Sequence, residues 1–209
     1  MRESERGRSL VAPVLGRSSP RPASKLPSGI AVSSAAATTG FDVERDGSLV
    51  TLEGSEAPEF SLESTSGGEV SLEETLETGP TIVLVNRGHW CSFCAEQLAT
   101  FSRVYEDLHF NEGVDVLPVV TSPTSKLVEM RDRFDYDFQL LADPVGEVSE
   151  RYSGTEETSH GVTGIAGTYV VDTDGVVRYE QVADDLTDRT YGNWVRYFIR
   201  NDFEDPFGE

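Results

Sequence analysis

The stretch that most constrains the fold runs without a break through TIVLVN (81–86), RGHW (87–90) and CSFCAEQLATFSRVYEDL (91–108). TIVLVN is short, apolar and rich in β-branched residues, the pattern of a central strand buried on both faces. Beyond the loop, Cys94, Leu98, Phe101, Tyr105 and Leu108 recur at helical spacing and mark one face of an amphipathic helix. The chain must therefore pass from a buried strand almost directly into a helix that packs against it. VDVLPVVTS (114–122) reads as a second buried strand and SKLVEMRDRF (125–134) as a helix. FQLLAD (138–143) is strand-like, and PVGEVSERYS (144–153) is a short helix with Pro144 at its start. GTYVVDTDGVVRYEQVA (167–183) predicts a hairpin turning at Asp-Gly. YGNWVRYFIRNDF (191–203) predicts a closing helix with Trp194, Tyr197 and Phe198 facing inward. Upstream, GSEAPEFSLES (54–64), GGEV and SLEETL read together as a short hairpin with a Gly-Gly turn. This order predicts an α/β domain: a central mixed sheet flanked by helices, with an N-terminal β-hairpin extension.

Charge excludes several functions. Of the 209 residues, 37 are acidic and 17 basic, for a net charge of −20. Phosphate binding needs clustered Lys and Arg, so a general nucleic-acid binder is not expected, nor docking on an anionic membrane. No stretch approaches the roughly 20 apolar residues of a membrane-spanning helix. Only Lys25 and Lys126 are lysine. Scarce lysine with abundant carboxylate resembles the proteins of extreme halophiles, whose acidic surface holds water in concentrated salt; the alternative is an acidic protein from any source. Residues 1–40 are different in kind: six basic residues stand against two acidic ones, amid Ser, Ala and Pro. The remainder then carries a net charge of −24. We expect residues 1–45 to form a disordered basic tail and 46–209 to form the folded domain. The apolar run SLVAPVLG (9–16) is short and interrupted by Pro13, so it does not read as a secretory signal, and a cytoplasmic location is expected.

The two cysteines, Cys91 and Cys94, carry the chemistry. A cysteine at the start of a helix meets unpaired amide N–H groups and the positive end of the helix dipole, which stabilise a thiolate. Cys91 holds that place and is expected to be the attacking thiol. Cys94 lies one turn on, at the top of the apolar face, where it is expected to be more buried and to resolve a sulfur species on Cys91. Arg87 and His89 are placed to add positive charge, and Trp90 to shield one side of the sulfur. Other readings stay open. A lone C-x-x-C can be half of a zinc site, with His89 and His160 as further ligands, or two inert buried thiols. The redox pair is the reading adopted, with no metal and no cofactor, because strand, loop, Trp-Cys-x-x-Cys and amphipathic helix occur together.

Over about residues 54–185 the chain resembles the thioredoxin-fold redoxins, specifically the alkyl hydroperoxide reductase/thiol-specific antioxidant (AhpC/TSA), peroxiredoxin-like family. The resemblance is carried by GSEAPEFSL, TIVLVNRGHWCSFCAEQL, DFQLLADPVGEVSERY and TYVVDTDGVVRYEQVADD. It implies a thioredoxin-like fold and thiol-based reduction of peroxides or disulfides, with electrons from a thioredoxin-like donor. The chain departs from its relatives at three places. Peroxiredoxins carry a Thr three residues before the attacking cysteine, where this chain has Gly88. Thioredoxins carry a cis-proline where this chain reads Gly164-Ile165-Ala166. A cis bond before Ala166 would cost roughly 2.5–4 kcal/mol, so trans is expected. Ser92 follows the first cysteine, where relatives often have Pro or Gly.

Three functions follow. The first is a thiol peroxidase in which Cys91 attacks a hydroperoxide and closes a disulfide with Cys94, helped by Arg87. The second is a thiol–disulfide oxidoreductase acting on protein disulfides with the same pair. The third is a redox-fold binding module without turnover.

Overall fold

A computed structural model describes residues 51–203, which form one unit. The expected basic tail, residues 1–45, lies outside the described residues. The centre of the unit is a five-stranded mixed sheet. It contains β3 (Thr81–Asn86), β4 (Asp115–Val120), β5 (Leu141–Ala142), β8 (Gly167–Val171) and β9 (Val177–Val182), in the order β5-β4-β3-β8-β9. β3, β4 and β5 run parallel, while β8 pairs antiparallel with β3, and β9 with β8. Every residue of β3 is buried, as an apolar run flanked on both sides by partner strands requires.

Successive side chains of a strand point to opposite faces, so β3 feeds two cores. Ile82 and Leu84 pack with Leu98, Phe101 and Val104 of α2 (Ser92–Glu106), Leu127 and Met130 of α3 (Thr124–Phe134), and Val195 and Phe198 of α5 (Gly192–Arg200). Val83 and Val85 face Leu72 and Leu76 of α1 (Leu72–Leu76) and Val148 and Tyr152 of α4 (Glu147–Tyr152). Each such apolar side chain removed from water contributes roughly 1.5–3 kcal/mol. α2 continues into a wider π-helical turn over Asp107–Asn111 that buries Leu108.

Several local expectations are corrected. The N-terminal hairpin pairs only β1 (Ser61–Glu63) with β2 (Glu69–Ser71) around Gly67 and Gly68. Of SLEETL only Ser71 belongs to it. Ser71 caps a helix there, its hydroxyl accepting from the Glu74 N–H at 3.1 Å, the start of a capping box. Of FQLLAD, only Leu141 and Ala142 pair, with Val119 and Val120. α4 starts three residues after Pro144. Its N-terminus is capped by the buried Asp143 carboxylate, which accepts from Val148 N–H at 3.3 Å and Ser149 N–H at 2.8 Å. On α5, Phe198 is buried and Trp194 packs half-buried, but Tyr197 is 46% exposed and faces solvent. A second hairpin, β6 (Thr155–Thr158) with β7 (Gly161–Gly164), forms its own two-stranded sheet, which sequence patterning did not predict.

Candidate active site

β3 ends at Asn86 and the loop 87–90 delivers Cys91 to the N-cap of α2. The Cys91 N–H donates to the Gly88 carbonyl at 3.0 Å, closing a tight turn, and the Cys91 carbonyl accepts the first helical bond from Ala95 N–H at 3.0 Å. Its sulfur takes the place of a capping oxygen and accepts from the Cys94 N–H at 3.2 Å. The Cys94 S–H donates to it as well. These hydrogen bonds, reinforced by the guanidiniums of Arg189 and Arg87 against the opposing cost of burial, lower the Cys91 thiol to about 6. Cys94 is fully buried. Its proton is held by the Cys91 sulfur, and burial and the adjacent thiolate oppose its loss, so its thiol lies well above the ordinary range. The two sulfurs thus form one unit: a thiolate at the helix end and a protonated thiol one turn inward.

The loop residues arrange themselves around this pair. The Arg87 side chain is 14% exposed and donates from Nη2 to the Glu156 carboxylate at 2.7 Å. Its guanidinium also lies over the Trp90 ring, 5.6 Å from the centroid. Trp90 stacks on His160 with centroids 3.9 Å apart. The indole fills the space beside Gly88, where an added Cβ would meet Trp90 Nε1 at 2.6 Å. A threonine cannot stand at 88 while Trp90 holds this position, which gives a physical reason for that departure from the peroxiredoxin pattern. His89 turns away to Ser122: its backbone N–H donates to the Ser122 hydroxyl at 3.1 Å, and Nδ1 lies 2.9 Å from the same oxygen. Ser92 is exposed in the first turn of α2. Ala166 is buried in the link from β7 to β8, its carbonyl accepting from Ala183 N–H at 2.9 Å. No peptide bond is cis among the described residues, as expected for Ala166.

Arg189 escaped the sequence reading. It follows the acidic run around Asp184, Asp185 and Asp188, where an arginine reads as a solvated ion-pair partner. In the fold its charge acts on Cys91 and on Cys94. Nη1 donates to the carbonyls of Asp185 at 3.0 Å and Asp188 at 2.6 Å. Nε and Nη2 are buried and find no acceptor among the described residues. No local pattern signals this, because Arg189 sits in the loop before α5, far along the chain from the cysteines its charge acts on.

A cleft of about 570 Å³ has His89, Trp90, Pro123, Val145, His160 and Val162 on its walls. Both histidines of the zinc alternative line this cleft, and among the described residues no group of three or more His, Cys, Asp or Glu is placed to hold a metal ion. No helix among the described residues is long and apolar enough to cross a membrane.

Comparison with known proteins bears on this arrangement. A model of the AhpC/TSA family matches residues 54–180. No curated protein matches the chain by sequence. Among solved structures, AhpC of Enterococcus faecalis is similar at 17% identity and a TM-score of 0.64, over 74% of this chain and 94% of that one. The reduced 2-Cys peroxiredoxin of Plasmodium vivax follows at 16% identity and a TM-score of 0.61, over 73% and 97%. The peroxidoxin BcpB of Mycobacterium tuberculosis is similar at 18% identity and a TM-score of 0.58, over 65% and 88%. These likenesses establish the thioredoxin-like fold. Arg189 lies beyond the matched family segment.

Proposed function

Because the chain belongs to the AhpC/TSA family, we propose that it is a thiol peroxidase that reduces hydroperoxides through a Cys91–Cys94 dithiol–disulfide cycle. What supports this reading is the Cys91 sulfur, lowered to about 6 at a helix N-cap beside two guanidiniums. At neutral pH it is mostly thiolate, the form that attacks. The thiolate attacks one oxygen of the O–O bond. A sulfur–oxygen bond forms, the O–O bond breaks, and the leaving alkoxide or hydroxide takes a proton to become alcohol or water. Donors on Arg189 and Arg87 stabilise the charge that develops on that leaving oxygen. Cys91 is now a sulfenic acid, oxidised by two electrons. The Cys94 thiol attacks this sulfur, a disulfide forms, and hydroxide leaves with the Cys94 proton as water. A dithiol donor of thioredoxin type then returns two electrons and two protons to the pair.

A second reading, thiol–disulfide oxidoreductase, is favoured by the Trp90 indole standing against Gly88, where peroxiredoxins carry threonine. The two readings separate in one experiment: peroxide consumption and insulin-disulfide reduction, run side by side with a dithiol donor in high salt. Peroxide consumption well above that of a free thiol, with little insulin reduction, supports the peroxidase; the opposite pattern refutes it. Neither activity would leave a redox-fold binding module.

A further inference from the structure

The β6–β7 hairpin pairs with neither edge of the central sheet, and nothing in the chemistry above uses it. An isolated two-stranded ribbon is marginally stable by itself, so its contacts with the domain hold it in place. One is structural: the Gly164 N–H donates to Thr121 Oγ1 at 3.0 Å. Two others run to the loop that carries Cys91. Glu156 accepts from Arg87 Nη2 at 2.7 Å, and His160, in the hairpin turn, stacks on Trp90 at 3.9 Å with the rings 16° from parallel. Arg87 in turn lies over the Trp90 ring. Glu156, Arg87, Trp90 and His160 therefore close a ring of contacts, two members on the hairpin and two within the four residues that precede Cys91.

We propose that Glu156 and His160 are positioning residues, which hold Arg87 and Trp90 against the active-site loop and thereby keep the Arg87 guanidinium beside the Cys91 sulfur. Arg87 is a long side chain, nearly buried, whose Nε has no acceptor among the described residues. Swinging outward would restore its hydration, and a buried cation stays in place only when partners compensate. Glu156 supplies a charged acceptor at one end of the guanidinium and the Trp90 face supplies a second contact. His160 keeps that face in position. The charged and titratable groups facing Cys91 are Cys94, Arg189 and Arg87. Glu156 and His160 are not among them, so their influence passes through Arg87.

The proposal rests on Cys91 being the reactive thiol, and it is independent of what that thiol reduces. The test titrates the Cys91 thiolate by its ultraviolet absorbance in the reduced, full-length protein. Glu156→Ala should raise the midpoint by about 0.5–1 pH unit, as expected for partial loss of one nearby opposite charge. Glu156→Gln still accepts the Arg87 hydrogen bond and should stay close to the parent protein. In an Arg87→Ala background, Glu156→Ala should add nothing, since contacts in one chain of action are not additive. His160→Ala should shift the midpoint in the same direction as Glu156→Ala, and His160→Phe, which keeps the stack, should restore it. Glu156 and His160 are both exposed, so these variants should fold, and matching melting curves verify it. A lowered midpoint in Glu156→Ala would mean that the carboxylate only neutralises Arg87 and would overturn the proposal. So would an unchanged midpoint, or an equal shift in the Arg87→Ala background. If the midpoints move as expected while peroxide is not consumed, the peroxidase reading fails and the positioning role stands.

Discussion

The two sulfurs differ by one helical turn and by the sign of their displacement from ordinary thiol behaviour. With Cys91 lowered to about 6 and Cys94 raised, iodoacetamide near pH 7 should label Cys91 first, with a rate that rises through a midpoint near pH 6. Equal labelling of both cysteines would defeat this assignment. Folding linkage follows with a definite sign. The unfolded Cys91 thiol titrates near 8.5, above its folded value, so between about pH 6 and 8.5 the unfolded chain binds more protons. The stabilisation from this group is therefore complete above about 8.5 and is lost as pH falls through about 6. Cys94, raised in the fold, is mostly protonated in both states up to about pH 8 and does not offset it there. The melting temperature of the reduced protein should gain on that of Cys91→Ser as pH rises from 6 to 8, and a constant difference would contradict the thiolate. Cys94→Ser discriminates the chemistry: a peroxidase consumes one equivalent of peroxide and leaves a dimedone-reactive sulfenic acid, whereas a disulfide reductase stalls as a mixed disulfide. Arg189→Met should slow the peroxide reaction roughly 100-fold in stopped-flow measurements, the scale for removing one preorganised donor. Cys91 itself was legible from its place after a buried strand; Arg189 was not, because its charge reaches Cys91 only through the fold.

At the scale of elements, capping explains where local reading went astray. Proline at a helix start is a general preference, but in 144–153 the orphan N–H groups of the first turn already had a better partner in Asp143. That carboxylate is 2% exposed and also accepts from the Ser149 hydroxyl at 2.7 Å. Asp143→Ala strands three donors in a buried site and should cost about 2–4 kcal/mol in urea unfolding. A cost near zero would show that the cap is not needed. In 71–76 the pattern Ser71-x-x-Glu74 is a helix start written in the sequence, directly after the Gly-Gly turn of the hairpin. β6 and β7 had no readable signal. Four of their eight residues are glycine or glutamate, types that strands disfavour, and their pairing is stabilised by contacts to Arg87, Trp90 and Thr121.

For the whole molecule, the acidic excess is a force on the fold as well as a solubility device. A net charge of −24 over residues 41–209 repels itself, and salt shortens the reach of that repulsion from about 10 Å at 0.1 M to about 3 Å at 1 M. We propose a halophilic protein: raising KCl from about 0.1 to 2 M should raise the melting temperature, and a flat or falling curve would speak against it. The division between what sequence settles and what tertiary structure settles has a single physical origin here. Periodicity, β-branching and helix dipole act over a few residues, so the buried β3, the amphipathic α2 and the thiol at its N-terminus were determined by the sequence alone. The charges around that thiol are brought from Arg87 and from the distant Arg189, and the clamp on Arg87 comes from a hairpin with little pattern of its own. Coulomb interaction and ring stacking depend on distance in space, and only the packing of β3, α2, the hairpin and the loop before α5 sets those distances.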